Sequence, residues 1–435
     1  MKISIPKENH SDEARVAGSP ENVKKLIQLG AEVTIQSGAG DKSSFPDDQY
    51  KDAGAQIAKS RSEIFKNSDI VLCVRAPSEA DIKSMKKGAL LIGTLNPYNN
   101  TDLLKSCTEN NIIAMSMELM PRITRAQSMD VLSSQANLAG YKSILDACEY
   151  YTRVMPMMMT AAGTVPPAKV FVMGAGVAGL QAIATARRLG AVVSATDVRP
   201  AAKEQVESLG AKFVAVEDEE FRQAESEGGY AKEMSDDYKK KQAELIEQTV
   251  PKQDIIVTTA LIPGRPAPRL VTDNMVKSMK PGSVIVDMAV EQGGNVEPSK
   301  AGEVITKHGV TIIGHKNIPG RLATDASNLY SKNLLNLVTL LVDAGSKALK
   351  IDWDDDIVKG ITLTKSGKVI HPNFADSLKS SGTGKSSSSG KSKSKSSSAK
   401  SGSGKKSSSG NKSSGKKSAS SSNSKKKTSS SKKKS

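Results

Sequence analysis

A glycine-rich segment near the middle of the chain restricts its possible folds more than any other feature. The apolar run Val170–Met173 is typical of a buried strand, and the glycine turn Gly174–Gly179 follows it directly. A helical pattern then extends from Leu180 to Leu189, and Val192–Thr196 predicts a second strand that ends at Asp197. A strand, a glycine turn, a helix and a second strand in this order predict a parallel α/β unit.

Residue types at fixed positions of this unit indicate a dinucleotide site. Gly174 permits a tight turn, Gly176 lets backbone N–H groups approach a pyrophosphate, and Gly179 lets the helix pack on its strand. The helix N-terminus adds positive potential for the phosphates. Asp197 lies at the carboxyl end of the second strand, where a carboxylate can bind both ribose hydroxyls of an adenosine. We therefore predict that this segment binds a dinucleotide.

The identity of the dinucleotide depends on two charged residues. The carboxylate of Asp197 favours NAD, because the 2′-phosphate of NADP would meet a negative charge. Arg199, two residues later, could instead pair with such a phosphate. The pattern therefore favours NAD and leaves NADP open at this point.

Alternating strand and helix patterns predict two domains. Predicted strands cover residues 3–5, 31–35, 70–74, 89–93 and 112–114 in the first and 170–173, 192–196, 212–216, 255–259, 283–287 and 310–313 in the second. We predict an α/β fold with two Rossmann-like doubly wound parallel-sheet domains and a cleft between them. The N-terminal domain is expected over 1–135 and the nucleotide-binding domain over 136–324. A helical pattern over Asn328–Lys347 is expected to return the chain to the first domain, which residues 325–378 complete.

The C-terminal segment 380–435 differs in composition from the rest of the chain. It holds sixteen of the 62 lysines and arginines and no Asp or Glu, so the other 46 basic residues balance the 46 acidic ones. Its Ser, Lys and Gly residues cannot bury enough apolar surface to fold, and we predict a disordered tail. This tail could contact an anionic membrane surface or nucleic acid, or it could only increase solubility.

Several classes of protein and of site find no support in the sequence. The N-terminus has no apolar stretch long enough for an export signal, and the best membrane candidate, residues 334–342, is far shorter than a span. Cys73, Cys107 and Cys148 have no metal-binding or redox spacing, and the four histidines are scattered. We expect a cytoplasmic chain without a metal site.

Three further segments allow both a functional and an ordinary interpretation. The polar segment 217–237 contains Gly228-Gly229 and then Tyr230, so it could be a lid that closes over a flat ring or an ordinary solvated excursion. The stretch Arg122–Ser133 could be the exposed start of an amphipathic helix. The run Met155–Met159 is expected to be apolar packing at a domain connection.

Four motifs together resemble those of one family. They are Met120–Gln135, with the sequence MPRITRAQSMDVLSSQ, Pro156–Gly163, Thr258–Arg265 and Asp287–Gly294. With the glycine turn, they resemble the NAD(H)-binding domain in the alpha subunit of proton-translocating NAD(P) transhydrogenases, over residues 1–375. Alanine dehydrogenases share this fold and some of these motifs.

The resemblance implies an enzyme that acts as one component of a complex. In this family, NADH on this domain passes a hydride directly to NADP⁺ on a separate component, and a membrane-spanning component couples the exchange to proton translocation. The domain is usually a homodimer. Fused versions continue into membrane helices, whereas this chain resembles the split arrangement, peripheral at the inner, cytoplasmic face of the membrane. No nucleic-acid partner is expected, and the tail could bind an anionic membrane surface.

The resemblance also implies candidate site residues. The nicotinamide is expected to be positioned by Arg122, Gln127, Asp130 and Ser133, with Tyr230 closing above as a lid. Further expected cofactor contacts are Ile123, Thr124, Arg125, Gly174, Ala175, Gly176, Val177, Gly179, Asp197, Val198, Arg199, Gly229, Gln242 and Leu261. The carboxamide of a nicotinamide needs both donors and acceptors, which Arg, Gln, Asp and Ser side chains supply.

Two alternatives compete with a transhydrogenase. Alanine dehydrogenases hold a carboxylate and move a proton with an arginine, a lysine and a histidine. Arg15 matches the arginine, but Arg75 and Asn96 stand at the other two positions, and neither can move a proton at neutral pH. A non-catalytic NAD(H)-sensing protein would not need residues that orient the nicotinamide. We therefore expect a transhydrogenase component.

Overall fold

The fold is described from a computed structural model of the chain. It describes residues 1–223, 234–262, 264–376 and 378. The expected lid residue Tyr230, its neighbour Gly229 and the tail 380–435 lie outside the described residues.

The N-terminal half of the chain alternates strands and helices. The strands are β1 (Lys2–Ile5), β2 (Glu32–Gln36), β3 (Gln56–Ala58), β4 (Ile70–Arg75), β5 (Leu90–Thr94) and β6 (Ile113–Ser116). The helices are α1 (Pro20–Gln28), α2 (Asp47–Asp52), α3 (Arg61–Lys66), α4 (Glu79–Ser84) and α5 (Thr101–Glu109). The strands pair in parallel in the order β3-β2-β1-β4-β5-β6, so the sheet is wound in both directions from β1. The prediction lacked β3, because three residues are too few for a periodic signal.

A long helix and a short hairpin connect this sheet to the next. The helix is α6 (Val131–Tyr150), and the hairpin consists of β7 (Met158–Thr160) and β8 (Gly163–Val165). The expected apolar packing of Met155–Met159 is wrong beyond Met155. The side chains of Met157, Met158 and Met159 are 59%, 45% and 77% exposed, because the hairpin joins neither large sheet and projects from the core.

The second sheet is also doubly wound. Its strands are β9 (Lys169–Met173), β10 (Val192–Thr196), β11 (Lys212–Phe213), β12 (Ile255–Thr258), β13 (Val284–Asp287), β14 (Val304–Lys307) and β15 (Val310–Ile313). Its helices are α7 (Val177–Arg188), α8 (Ala201–Ser208), α9 (Glu219–Arg222), α10 (Asp236–Thr249) and α11 (Asp273–Ser278). The order is β11-β10-β9-β12-β13-β15-β14, and β14 alone pairs antiparallel. The two sheets confirm the predicted fold class, although β14 was missed because this half-exposed edge strand lacks an apolar run.

Residues 323–369 return the chain to the first sheet. They form α12 (Ala323–Leu341), α13 (Asp356–Ile361), β16 (Thr364–Lys365) and β17 (Lys368–Val369). Leu334 and Leu337 of α12 lie in the same hydrophobic core as β1 and β4, and the Tyr330 hydroxyl donates to the Cys73 carbonyl oxygen at 3.0 Å. The helix begins and ends earlier than the predicted Asn328–Lys347, since Val342 already forms an antiparallel bridge with Leu349.

Helix α6 lies between the two sheets and was not predicted. Its buried residues occupy several faces, because it packs against α7 and against α12. The sequence of α6 therefore lacks a simple amphipathic pattern. At Gly140 the approach to α7 is so close that a Cβ would lie 2.1 Å from the Ala178 carbonyl oxygen. Among the residues that the structure describes, no helix is long and apolar enough to cross a membrane.

Candidate nucleotide-binding site

The turn after β9 leaves room for a phosphate because three of its positions lack a side chain. A Cβ on Gly179 would lie 1.8 Å from the Gly174 carbonyl oxygen, so α7 can pack on its strand only with glycine there. Gly174 has a φ of +104°, and a Cβ would lie 2.5 Å from Thr259 Oγ1. At Gly176 a Cβ would meet nothing within 4 Å. The space beside Gly176, at the N-terminus of α7, is therefore open to a phosphate.

Asp197 follows β10, and both of its carboxylate oxygens already accept hydrogen bonds. The backbone N–H of Ala175 donates to Oδ2 at 2.7 Å. Arg199 donates from Nε to Oδ1 at 2.9 Å and from Nη2 to Oδ2 at 3.0 Å. The hydrogen bond to Asp197 raises the pKa of the Arg199 guanidinium. Arg199 is thus engaged by Asp197, which favours NAD over a 2′-phosphorylated nucleotide, and Val198 between them is exposed.

Gln242 and Leu261 lie near the carboxyl ends of strands in the same sheet. Gln242 Nε2 donates to Thr196 Oγ1 at 3.1 Å, and Gln242 Oε1 accepts the Val216 N–H at 2.9 Å. The Gln242 amide therefore connects the end of β10 to the segment after β11. Leu261 follows β12, and its side chain is 49% exposed.

Asn295 holds the segment that contains Leu261, and it was not among the expected residues. Its Oδ1 accepts the Ala260 N–H at 3.1 Å, and its Nδ2 donates to the carbonyl oxygens of Ala260 and Pro268 at 2.9 and 2.8 Å. The buried carboxylate of Asp287 accepts the Asn295 N–H in turn. The sequence signal for Asn295 was its position after Gly293-Gly294, shortly after the strand that ends at Asp287.

Residues 122–133, here called the polar loop, contain the expected nicotinamide contacts. Thr124–Met129 forms a 3₁₀ helix, in which side chains three residues apart share a face. Ala126 and Met129 are buried on one face. Gln127 is exposed on another face, which continues to Asp130. The helix therefore presents Gln127 and Asp130 together and directs neither into the core.

Asp130 ends the 3₁₀ helix and caps α6. Its Oδ1 accepts the Ser133 N–H at 3.0 Å, and its Oδ2 accepts the Ser133 hydroxyl at 2.5 Å. The structure thus brings together three of the four expected positioning residues, Gln127, Asp130 and Ser133. The fourth, Arg122, is exposed at the start of the loop, as is Ile123.

Arg125 lies on a different face from Gln127. Its Nη1 and Nη2 donate to the two carboxylate oxygens of Asp355 at 2.5 and 2.9 Å. This pairing raises the pKa of Arg125 and lowers the pKa of Asp355. The structure therefore gives Arg125 an ion pair that anchors the loop on a different face from Gln127.

Helix α6 joins the polar loop to the glycine turn. The last residues of the polar loop form the start of α6 at Val131, and Gly140 touches the first turn of α7. At 1.5 Å per residue, these two points lie roughly 14 Å apart along α6. One continuous helix therefore fixes the distance between the two ends of the candidate site.

A charged cluster in the first domain contains Arg15 and Arg75, two of the three positions on which an alanine dehydrogenase was disfavoured from the sequence. Arg15 donates from Nε and Nη2 to both oxygens of Glu13 at 2.7 Å, and from Nη1 to Gln135 Oε1 at 2.8 Å. Arg75 Nε donates to Glu13 at 2.9 Å. Burial would raise the pKa of Glu13, but the hydrogen bonds from Arg15 and Arg75 outweigh it and lower this pKa to about 2. Each of the three nitrogens of the Arg15 guanidinium is therefore already paired within the chain.

Hydrogen bonds from backbone N–H groups hold Asn96 and Arg75, the other two positions of that comparison. The N–H of Asn96 donates to Glu118 at 2.5 Å, and Asn96 itself has a φ of +52°. The backbone N–H groups of Val74 and Arg75 donate to Glu8 at 2.6 and 3.2 Å. Burial raises the pKa of Glu8 to about 7 despite these bonds.

Asn317 connects the two halves of the chain beside this cluster. Its backbone N–H donates to Glu291 Oε2 at 2.9 Å, and its Nδ2 donates to the Asp12 carbonyl oxygen at 2.8 Å. No local pattern in the sequence indicated this bridge. Over residues 1–223, 234–262, 264–376 and 378, no three His, Cys, Asp or Glu side chains come together as a metal site.

Comparisons with known proteins identify relatives of this chain. The sequence model "Alanine dehydrogenase/PNT, N-terminal domain" matches residues 4–139, and "Alanine dehydrogenase/PNT, C-terminal domain" matches residues 143–372. The chain is 54% identical over 377 residues to the protein of Rhodospirillum rubrum that forms the first portion of its NAD(P) transhydrogenase subunit alpha. The match covers 86% of this chain and 98% of that protein.

A solved structure and a second group of relatives agree with this match. The crystal structure of the transhydrogenase from Sinorhizobium meliloti is 54% identical, with a TM-score of 0.78, over 85% of this chain and all of that one. An alanine dehydrogenase of Staphylococcus epidermidis is 32% identical over 386 residues, 87% of this chain and 96% of that protein. The chain therefore belongs to the alanine dehydrogenase/PNT family, in which it is more similar to these transhydrogenase proteins than to this dehydrogenase.

Proposed function

We propose that this chain is the NAD(H)-binding component of a proton-translocating NAD(P) transhydrogenase. NADH supplies a hydride, which passes directly to NADP⁺ held by a separate component. The observation that carries the proposal is the polar loop, which presents Gln127 beside the paired Asp130 and Ser133 on the helix that leads to the glycine turn. The 54% identity to the Rhodospirillum rubrum transhydrogenase protein supports it.

The residues at the glycine turn fit a dinucleotide. The open space at Gly176 accepts the pyrophosphate at the N-terminus of α7, and Asp197 accepts a hydroxyl of the adenosine ribose in place of one of the hydrogen bonds that it now receives from Arg199. Ala175, Val177, Val198, Gln242 and Leu261 line this end of the site in the proposal. Gly229 and Tyr230 are proposed to belong to a lid that closes over the bound nucleotide.

The polar loop orients the other end. The amide of Gln127 and the Asp130–Ser133 pair supply donors and acceptors to the carboxamide of the nicotinamide. Arg122, Ile123 and Thr124 form the start of this surface. Transfer between two nicotinamides moves no proton to a substrate heteroatom, so the chain needs to fix geometry and exclude water. The presence of Arg75 and Asn96, where a dehydrogenase would need a lysine and a histidine, agrees with that demand.

The proposed partners are the NADP-binding and membrane-spanning components of the same complex. We place the chain at the cytoplasmic face of the membrane that holds them, where the lysine-rich tail binds anionic lipid. We also propose a homodimer. The exposed Met157, Met158 and Met159 support it, because a two-stranded hairpin is marginally stable alone and apolar side chains on it favour a partner surface.

A reconstitution assay tests the proposed reaction. The full chain is mixed with a purified NADP-binding transhydrogenase component and NADPH, and the reverse hydride transfer is followed with an NAD⁺ analogue whose reduced form absorbs apart from NADPH. We expect transfer only when both components are present. A control with NAD⁺ and L-alanine should give no NADH. Alanine-dependent NADH formation would support an alanine dehydrogenase instead, and nucleotide binding without either reaction would support an NAD(H) sensor.

A further inference from the structure

Residues of α12 and the residue that caps α13 fix the polar loop on both sides of Gln127. On one side, the Ser128 carbonyl oxygen accepts two hydrogen bonds from α12. Asn333 Nδ2 and Asn336 Nδ2 both donate to it at 2.8 Å. A carbonyl oxygen has two lone pairs, so these two amides satisfy it completely. The peptide that follows Gln127 by one residue is therefore held in a single orientation.

On the other side, Asp355 holds Arg125. The bidentate pair has N–O distances of 2.5 and 2.9 Å. Asp355 is fixed in turn, because its Oδ1 accepts the backbone N–H groups of Ile357 and Val358 at the start of α13. The Asp355 side chain is 13% exposed and that of Arg125 is 47% exposed, so the carboxylate is shielded from water while the guanidinium lies at the surface. Gln127 thus lies between two anchored residues.

The anchors themselves cannot shift easily. Asn333 is buried, and its Oδ1 accepts the Ser134 hydroxyl at 2.8 Å, so both ends of its amide are used. Its neighbour Leu334 lies in the hydrophobic core with Ala126 and Met129 of the loop. A rotation of the 3₁₀ helix would have to break these hydrogen bonds and expose both buried side chains.

We propose that Asn333, Asn336 and Asp355 are positioning residues for hydride transfer. They hold the peptides that flank Gln127, so that its amide meets the nicotinamide in the reactive orientation. The inference rests on the proposed role of Gln127. None of the three needs to touch the nucleotide, and each lies more than 200 residues after the loop residue that it contacts.

Two variants remove the anchors separately. Asn336→Ala deletes one donor to Ser128 from a half-buried position, and Asp355→Asn weakens the pair with Arg125 while it keeps an oxygen for the cap of α13. The loss of one such hydrogen bond corresponds to about a fivefold fall in kcat when it is felt only at the reaction. We expect about this loss for each variant in the reconstituted assay, with the NADH Kd within twofold of the unchanged chain.

Matched substitutions separate this effect from damage to the fold. Thr339→Ala alters the same helix at a hydroxyl that bonds only within it, and Asp354→Asn makes the same charge change one residue from Asp355. Both should keep kcat and NADH affinity. Arg125→Gln breaks the second anchor from the loop side, so the double variant R125Q/D355N should lose no more than either single variant.

Coupling to Gln127 gives the decisive readout. If the anchors act through Gln127, the double variant Q127N/N336A should be no slower than Q127N alone. Full kcat in N336A and D355N while Q127N is slow would overturn the positioning role and leave the proposed function standing. Full kcat in Q127N would contradict the role of Gln127 and, with it, this inference. If the kcat losses of Q127N and N336A multiply in the double variant, and the midpoint of thermal unfolding falls, the anchors do not act through Gln127 and the positioning role is overturned.

Discussion

The glycine turn and the polar loop hold the two ends of one candidate site by different means. The turn takes its shape from the backbone between β9 and β10, through the positive φ of Gly174 and the missing Cβ of Gly179. The polar loop depends on side chains far along the chain, such as Asn336 on Ser128 and Asp355 on Arg125. A region of a site that is built from backbone is specified locally, whereas a region that is held by side chains depends on the whole fold.

Two glycines in the turn give the largest expected effects and separate stability from binding. Gly179→Ala puts a Cβ 1.8 Å from a carbonyl oxygen, so we expect about 3 kcal/mol less free energy of unfolding and no measurable NADH binding. Gly176→Ala meets nothing within 4 Å in the protein. It should cost roughly 1 kcal/mol or less at this N-cap and still weaken NADH binding about a hundredfold.

Denaturant unfolding and NADH fluorescence titration on the two variants check this contrast. If both variants lose equal free energy of unfolding, the turn does not take its shape from the missing Cβ of Gly179, and the contrast with the polar loop is wrong. If Gly176→Ala binds NADH normally, the phosphate lies elsewhere and the turn is not this end of the site.

The charged cluster of the first domain should give the next largest effect. Glu13→Gln leaves Arg15 and Arg75 without their shared carboxylate, and we expect a loss of about 3 kcal/mol in the free energy of unfolding at pH 7. The Glu13 pKa falls from 4.5 in the unfolded chain to about 2 in the folded chain. Its contribution is therefore full above about pH 4.5 and is lost as the pH falls toward 2.

Unfolding at pH 7 and at pH 4 measures this contribution. The gap between the Glu13→Gln variant and the unchanged chain should already be narrower at pH 4. A gap that widens as the pH falls would show that Glu13 is not stabilised as a carboxylate.

In the polar loop, Gln127→Asn should slow the reaction without loosening the nucleotide. Shortening the side chain by one methylene moves its amide by more than about 1 Å, and we expect kcat to fall about ten- to a hundredfold with the NADH Kd within about threefold. Gln49→Asn makes the same chemical change on the exposed surface of α2 and should have no effect. Equal losses in kcat and in NADH affinity would mean that Gln127 binds the nucleotide but does not orient the nicotinamide for hydride transfer.

At the opposite end of the site, Arg199→Gln is expected to give the smallest effect. It frees both oxygens of Asp197 from their ion pair, so the carboxylate should repel a 2′-phosphate more strongly. We expect the ratio of the NADPH Kd to the NADH Kd to rise about fivefold, measured by competitive titration, with Arg188→Gln as an exposed control. A ratio that falls would mean that Arg199 does not neutralise Asp197 in the bound state.

The same contrast explains what the sequence could predict. Val170–Met173, the glycine turn and Asp197 form a local pattern with a direct structural meaning, and the structure has the strand, turn and acid where they were expected. Helix α6 was missed because it is buried on several sides. The prediction buries Met157–Met159, because an apolar run alone does not indicate a hairpin that leaves the core.

The anchors of the polar loop could not be found in the same way. Asn333, Asn336 and Asp355 look like ordinary polar residues in a C-terminal helix and its surroundings, and only the fold brings them to Ser128 and Arg125. The resemblance to a family supplied the candidate residues of the loop, but their local sequence alone also allowed an ordinary helix start. Tertiary contacts decide between the two, and no periodic pattern records them.

Direct hydride transfer is the central claim, and an isotope experiment tests it most directly. NADH deuterated at both C4 positions is incubated with the full chain, the NADP-binding component and NADP⁺ in ordinary water, and the NADPH is analysed by mass spectrometry. We expect every NADPH formed to carry one deuterium, because the hydride never exchanges with solvent. NADPH without the label, or no NADPH at all, would contradict the account.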